Sequence, residues 1–161
     1  MLSIITPTHN PKWLRETWES IKQQTHKDWE WVIVPNGEVV NYSAKELIGE
    51  DNDRVRVVPY NGNRNIRAIK KFAFTQGRGE LLIECDHDDL LEPTCLEELA
   101  KVDADFIYSD CADFSPTGAP VTYHHPDIKK AWLDNDWKFR EDGSPYSWDP
   151  GAAAVSGGPR L

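Results

Sequence analysis

The sequence predicts an α/β fold, a mostly parallel sheet flanked by helices, and three observations carry that expectation. Short apolar runs of strand character alternate with stretches of helical periodicity, starting with strand, helix and strand inside the first 34 residues. That is the βαβ unit of a parallel sheet. Four of the runs end in polar loops, at Thr8-His9-Asn10, Asn36-Gly37, Asp86-His87-Asp88-Asp89 and Ser109-Asp110. The third observation is the stretch from Gly79 to Pro93, where Leu81-Leu82-Ile83 gives way abruptly to three aspartates and a histidine. The apolar part suits a buried strand, while acids at its C-terminal end must face water, a cation or a ligand. Open α/β sheets take their ligands at that edge.

Residues 2–6 read as the first strand, followed by the loop Pro7-Thr8-His9-Asn10 and by Pro11, which after an Asn cap opens a helix. Leu14, Trp18 and Ile21 recur along that helix as an apolar stripe. Residues 29–34 form the second strand, closed by the turn Pro35-Asn36-Gly37. A short helix over 41–48 and a third strand over 54–58 follow. After the polar segment 60–65 comes a helix over 66–76 whose Ile66, Ile69 and Ala73 can face the sheet. Arg64, Arg67, Lys70 and Lys71 concentrate positive charge here, either as a solvated face or as partners of a diphosphate approaching the same edge.

The central strand spans 80–85, its following helix 93–101 with Leu96 and Leu99 inward, and a further strand spans 105–109, ending at Asp110. Beyond Asp113 the pattern weakens. Ser115-Pro116-Thr117-Gly118 reads as the turn of a hairpin between Phe114 and residues 121–123, and residues 128–135 as a helix. Glycines and prolines punctuate the rest. The expected division is therefore a core over 1–113 and a partial, irregular extension over 114–161.

A length of 161 residues suits one domain with a sizeable core. A net charge of -9 and a pI near 5.0 argue against nucleic-acid binding. They leave room for a nucleotide, because a divalent cation bridges acidic protein and diphosphate. Cys85, Cys95 and Cys111 are odd in number and lack CxxC spacing, so they read as small buried thiols in a reducing compartment. No signal peptide is visible and no run approaches a membrane span, which predicts a cytoplasmic protein and is compatible with peripheral attachment. Seven tryptophans suggest core filling and flat apolar sites for ligands such as sugars.

Asp86 and Asp88 are two apart, so an extended backbone sends both carboxylates to one side and His87 and Asp89 to the other. His87 is therefore not expected as a ligand, and His9 reads as a loop hydrogen-bonder. Two acids held together repel unless a cation or proton intervenes, and hard oxygen ligands suit Mg²⁺ or Mn²⁺. An isolated D-x-D is as readily a solvated acidic turn, so its surroundings decide.

Those surroundings resemble family 2 of the GT-A-type glycosyltransferases. Ser3-Ile4-Ile5-Thr6-Pro7-Thr8-His9-Asn10 resembles the family's first strand and its P-T-x-N loop. Leu14, Ser20-Ile21, Gln24-Thr25 and Trp29-Glu30-Trp31-Val32-Ile33-Val34 resemble its next helix and strand. Gly79-Glu80, Asp86-His87-Asp88-Asp89 and Pro93 resemble its most specific run, and Tyr108-Ser109-Asp110 and Tyr123-His124-His125-Pro126-Asp127 two later segments. The likeness covers residues 2–127 in unbroken order. It implies a GT-A, Rossmann-like fold and transfer of a sugar from a nucleotide-diphosphate sugar to a hydroxyl of a glycan, lipid-linked or polymer acceptor, with inversion. It implies Mn²⁺ or Mg²⁺ at Asp88, with Asp86 near the ribose or the metal. Thr6, Pro7, Thr8 and Asn10 would line the nucleoside pocket, with Lys70 near a helical position that meets the donor.

Two departures stand out. Where the family often carries Asp-Asp-Gly-Ser, with its first Asp on the base, this chain has Pro35-Asn36-Gly37-Glu38, which leaves the Asn36 amide for that role. An inverting transfer also needs a general base. Gly157-Gly158 resembles the glycine pair that precedes the family's base, which would then lie beyond Leu161. Glu141-Asp142 is the late acidic pair within the chain, with Asp142 as the candidate. GT-A domains usually run well beyond 200 residues, so the acceptor side reads as short or truncated, or as completed by another chain or an oligomer. Competing expectations are a noncatalytic sugar-nucleotide or glycan-binding domain and a sugar nucleotidyltransferase, whose glycine-rich loop is missing near the first strand. A phosphohydrolase using Asp86 is disfavoured because Leu90 offers no hydroxyl.

Overall fold

The computed structural model describes residues 1–109. Four strands form one sheet in the order β3-β2-β1-β4, with β1 Leu2–Thr8, β2 Trp29–Pro35, β3 Val55–Val57 and β4 Leu81–Glu84. All the pairings are parallel, with Leu2 opposite Trp29 and Leu81, and Trp31 opposite Val55. The mostly parallel α/β architecture expected from the sequence is present. Because the chain runs outward from β1 to β3 and then returns to place β4 on the other side of β1, a switch point opens at the C-terminal ends of β1 and β4.

Helices cover both faces, and residue parity decides which face each strand residue serves. On one face Leu2, Ile4, Trp29, Trp31 and Ile33 pack with Leu14, Trp18 and Ile21 of α1 (Leu14–Lys22), Leu47 and Ile48 of α2 (Ala44–Ile48) and Leu96 of α4 (Cys95–Ala100). Trp18 stacks on Trp31 with centroids 5.5 Å apart and meets Trp29 edge-on at 6.1 Å. On the other face Ile5, Val32 and Val34 pack with Ala73 of α3 (Ile66–Phe74), supported by Phe72 and Leu82. β1 is buried over its whole length, as a central parallel strand must be.

Three local expectations change. Helix α1 starts at Leu14, not at Pro11, because Asn10 Oδ1 accepts from the Lys12 N–H at 3.1 Å and caps a separate turn. The helix expected over 41–48 forms only from Ala44, where Ser43 and Glu46 make a capping box, and a 3-10 turn occupies Gly37–Val39. Residues 102–109 form no strand. Asp103 and Asp105 sit at alternate positions of that run, and Asp is a poor strand former. Met1–Lys101 is one compact unit, and the second begins at Val102. The hairpin expected around 114–123, the helix over 128–135, Cys111, Asp142 and Gly157-Gly158 lie outside the described residues. No helix among the described residues is long and apolar enough to cross a membrane.

At the N-terminal end of the sheet a buried carboxylate ties three strands together. Glu30 accepts from Ser3 Oγ at 2.8 Å, from Arg56 Nε at 2.9 Å and from the Arg78 N–H at 2.7 Å. Burial pushes its pKa up, but these hydrogen bonds outweigh burial and leave it below the ordinary carboxylate value. A depressed folded pKa gives stability that is present above the unfolded value and lost as pH falls through the folded one. Glu30→Gln is therefore expected to cost about 2 kcal/mol at neutral pH and to flatten the loss of stability on acidification below about pH 4. Urea unfolding repeated across that pH range checks both.

Candidate functional site

The switch point forms a cleft of about 760 Å³. The end of β1 contributes Pro7 and His9, the turn after β2 contributes Asn36, Gly37 and Glu38, and the start of α3 contributes Arg64, Ile66, Ile69 and Lys70. Asp86, His87 and Asp88 complete it from the end of β4. Acids and basic groups thus share one opening. A second concavity of about 380 Å³ lies behind the acidic loop, against α1, and its lining of Glu16, Glu19, Glu92, Leu90 and Pro93 offers no cation to a phosphate.

Of the residues singled out in the sequence, Pro7, Asn36, Lys70, Asp86 and Asp88 come together here. Thr6 and Thr8 do not line the cleft, because strand alternation turns them to the α1 face. Thr6 Oγ1 accepts from Trp31 Nε1 at 2.8 Å, and Thr8 Oγ1 donates to the Asn10 carbonyl at 3.0 Å, both residues being fully buried. Asn10 is exposed and lies outside the lining. Asn36 Nδ2 donates to the Thr8 carbonyl at 2.9 Å, and its backbone N–H donates to the same oxygen at 2.9 Å. A carbonyl accepts only, so the Asn36 amide nitrogen is fixed on Thr8 and Oδ1 remains as its acceptor.

Asp86 to Asp89 is a turn, not an extended strand end, closed by the Asp89 N–H on the Asp86 carbonyl at 3.2 Å. The simple alternation expected for these residues therefore fails. His87 lines the cleft with Asp86 and Asp88, and packs edge-on against His9 at 5.2 Å. Asp89 is exposed and lies outside the cleft lining, and partial desolvation, followed by the charges of Asp86 and Asp88, raises its pKa. Burial and the same acids push the Cys85 thiol up to about 12, so it is an inert core group.

What holds this turn was not read from the sequence. Thr17 Oγ1 donates to the Asp89 carbonyl at 2.9 Å, with the His87 carbonyl at 3.3 Å. Ser20 Oγ accepts from the Leu91 N–H at 3.1 Å. Gln24 Nε2 donates to the Glu92 carbonyl at 2.8 Å, and Oε1 accepts from the Leu96 N–H at 3.0 Å. Thr17, Ser20 and Gln24 are spaced i, i+3 and i+7, a stripe of uncharged polar residues beside the apolar one. That spacing was the available signal. Gln24→Leu is expected to cost about 2 kcal/mol or more, because it leaves the buried Leu96 N–H and the part-buried Glu92 carbonyl without this partner. Equilibrium urea unfolding measures the loss, and an unchanged midpoint would show that water replaces the amide.

No group of three or more His, Cys, Asp or Glu among the described residues is arranged to hold a metal by itself. Asp86 and Asp88 nonetheless suit Mg²⁺ or Mn²⁺, which commonly take one or two carboxylates and complete their shell with phosphate oxygens and water. Beside Asp86, the hydrogen bond to Glu84, with the charge of Asp86, holds the Lys70 ammonium above the usual lysine range despite partial burial.

The family model described as Glycosyl transferase family 2 matches residues 3–150. The O-antigen biosynthesis protein RfbC of Myxococcus xanthus is 28% identical over 104 residues, covering 62% of this chain and 8% of that protein. An uncharacterized glycosyltransferase of Methanocaldococcus jannaschii is 30% identical over 154 residues, covering 88% of this chain and 49% of that protein. The chain thus spans less than half the length of either relative. A crystal structure of S. aureus TarS 1-349 aligns with TM-score 0.49 and 23% identity, covering 62% of this chain and 31% of that one.

Proposed function

The chain belongs to glycosyl transferase family 2, and from that premise we propose that its cleft binds a nucleotide-diphosphate sugar with Mn²⁺ or Mg²⁺ and serves transfer of the sugar, with inversion, to a hydroxyl of a glycan, lipid-linked or polymer acceptor. The observation that carries this reading is the convergence of Asp86 and Asp88 with Lys70 and Arg64 around one opening at the ends of β1 and β4. Carboxylates alone would repel a diphosphate. Carboxylates set among cationic side chains can hold it through a bridging metal while the cations meet its oxygens.

In this reading Asp88, with Asp86, holds the cation, and Lys70 and Arg64 meet phosphate oxygens. Pro7 and Ile69 supply apolar wall, and Asn36 Oδ1 accepts from an N–H of the base. A bound divalent cation supplies electrostatic stabilisation as the nucleoside diphosphate departs with its negative charge. Fixing the turn from the buried side, through Thr17 and Gln24, keeps the carboxylates oriented before the ligand arrives. Deprotonation of the acceptor falls to a carboxylate outside the described residues, either Asp142 or one beyond Leu161. With this reading go a donor-binding core over 1–113, a partial acceptor-side extension over 114–161, and a cytoplasmic site of action, peripheral to a membrane where the acceptor is lipid-linked.

The test is calorimetry of the 161-residue chain with a panel of nucleoside diphosphates and their sugars, in Mn²⁺ and then in EDTA. Binding of one nucleotide that disappears with EDTA is the expected result. Absence of binding by the folded chain would sink the donor-site reading.

A further inference from the structure

Glu84 closes β4, one residue before the buried Cys85 and two before Asp86. Leu82 packs on the α3 face of the sheet, and strand alternation carries Glu84 to the same face. There Lys70 donates from Nζ to Glu84 Oε1, while Asp86 Oδ1 lies 3.6 Å from the same nitrogen. Glu84 is not part of the cleft lining, whereas Lys70 and Asp86 both are. The side chains of Lys70, Glu84 and Asp86 are 35%, 42% and 50% exposed, so charge and not close packing sets the arrangement, and the ammonium is free to change partners.

We propose that Glu84 is a positioning residue: it holds the Lys70 ammonium off Asp86, so that the Asp86 carboxylate stays open to a divalent cation. This rests on the cation reading of the cleft given above. A lysine between two carboxylates divides its one charge between them, and here the nearer partner is Glu84. Were Glu84 neutral, Asp86 would remain as the carboxylate beside Lys70, and the ammonium would compete for the oxygen that the cation needs. Once a cation occupies Asp86, Glu84 also receives the repelled ammonium and keeps it at the cleft wall, where a phosphate oxygen can reach it.

A double-mutant cycle tests the inference, with Mn²⁺ alone as the probe. Paramagnetic broadening of the amide signals of residues 86–88 gives the Mn²⁺ affinity of the wild-type chain, Glu84→Gln, Lys70→Gln and the double variant. The expected result is a roughly tenfold loss for Glu84→Gln in the wild-type background and less than about a twofold change for the same substitution beside Lys70→Gln. Glu84→Asp should retain most of the wild-type affinity. An equal loss in both backgrounds would overturn the inference, because that is what removing one negative charge near a cation does by itself. No Mn²⁺ broadening in the folded wild-type chain would instead overturn the cation reading, and the inference with it. Thermal unfolding of each variant identifies any loss that comes from misfolding, and the half-exposed positions make that outcome separable.

Discussion

Asp88→Asn is expected to weaken Mn²⁺-dependent binding of the nucleotide by at least about a hundredfold, ~2.7 kcal/mol, while leaving the unfolding midpoint near wild type. Asp88 sits on the turn at the mouth of the cleft, and among the described residues it makes no ion pair. No ion pair among the described residues therefore depends on its charge. Asparagine keeps the shape and one acceptor oxygen, but loses the anionic donor that a hard cation requires. Asp86→Asn should weaken binding less, because Lys70, though nearer to Glu84, lies 3.6 Å from Asp86 and offsets part of its charge, whereas Asp88 has no cation beside it among the described residues. Calorimetry of the three proteins in Mn²⁺ and in EDTA checks the order. An Asp88→Asn chain with unchanged affinity would remove Asp88 from the metal shell.

Gly79→Ala is expected to produce the largest loss of stability, about 3 kcal/mol or more. A methyl group there would lie 2.7 Å from the Met1 carbonyl oxygen and the Ser3 nitrogen, and 2.8 Å from the Leu2 carbonyl carbon. These are backbone atoms of the central strand and the residue before it, and they cannot turn aside as a side chain does. The Gly79 N–H also donates to Ser3 Oγ at 2.7 Å, and the Glu80 N–H to the Met1 carbonyl at 3.1 Å, so the close approach starts the β1–β4 register. Relief of the overlap must pull β4 away from β1. Urea unfolding reads the loss, and a wild-type midpoint would show that the strand end accommodates a methyl group.

The sheet was legible in the sequence because parallel strands packed on both faces leave continuous apolar runs, and residues 31–34 and 81–83 are of that kind. The cleft was legible in outline, since polar residues directly after such runs have nowhere to go but the sheet edge. Side-chain direction was not. Counting by two works within β1, and it would have excluded Thr6 and Thr8 had the α3 face been known as the cleft side. It fails across Asp86 to Asp89, where the chain turns on a hydrogen bond that no residue type announces. Asn10 carried a helix-cap signal and formed an Asx turn, because the same side-chain geometry serves both. Gly79 stood in the sequence as part of a resemblance alone, and its reason, backbone packed on backbone, is purely tertiary.

Helix α1 writes two messages in one short segment. Leu14, Trp18 and Ile21 answer to the core, Thr17 and Ser20 to the loop carrying the acids. Of its nine residues, that leaves Arg15, Glu16, Glu19 and Lys22 open to drift, and Lys22 is already engaged with Glu19 and Glu50. The protein has little freedom to retune the cleft by varying this helix without disturbing the interior. Divergence of ligand preference among such chains should therefore concentrate in the turn after β2 and the first turn of α3, which line the cleft and owe less to the core.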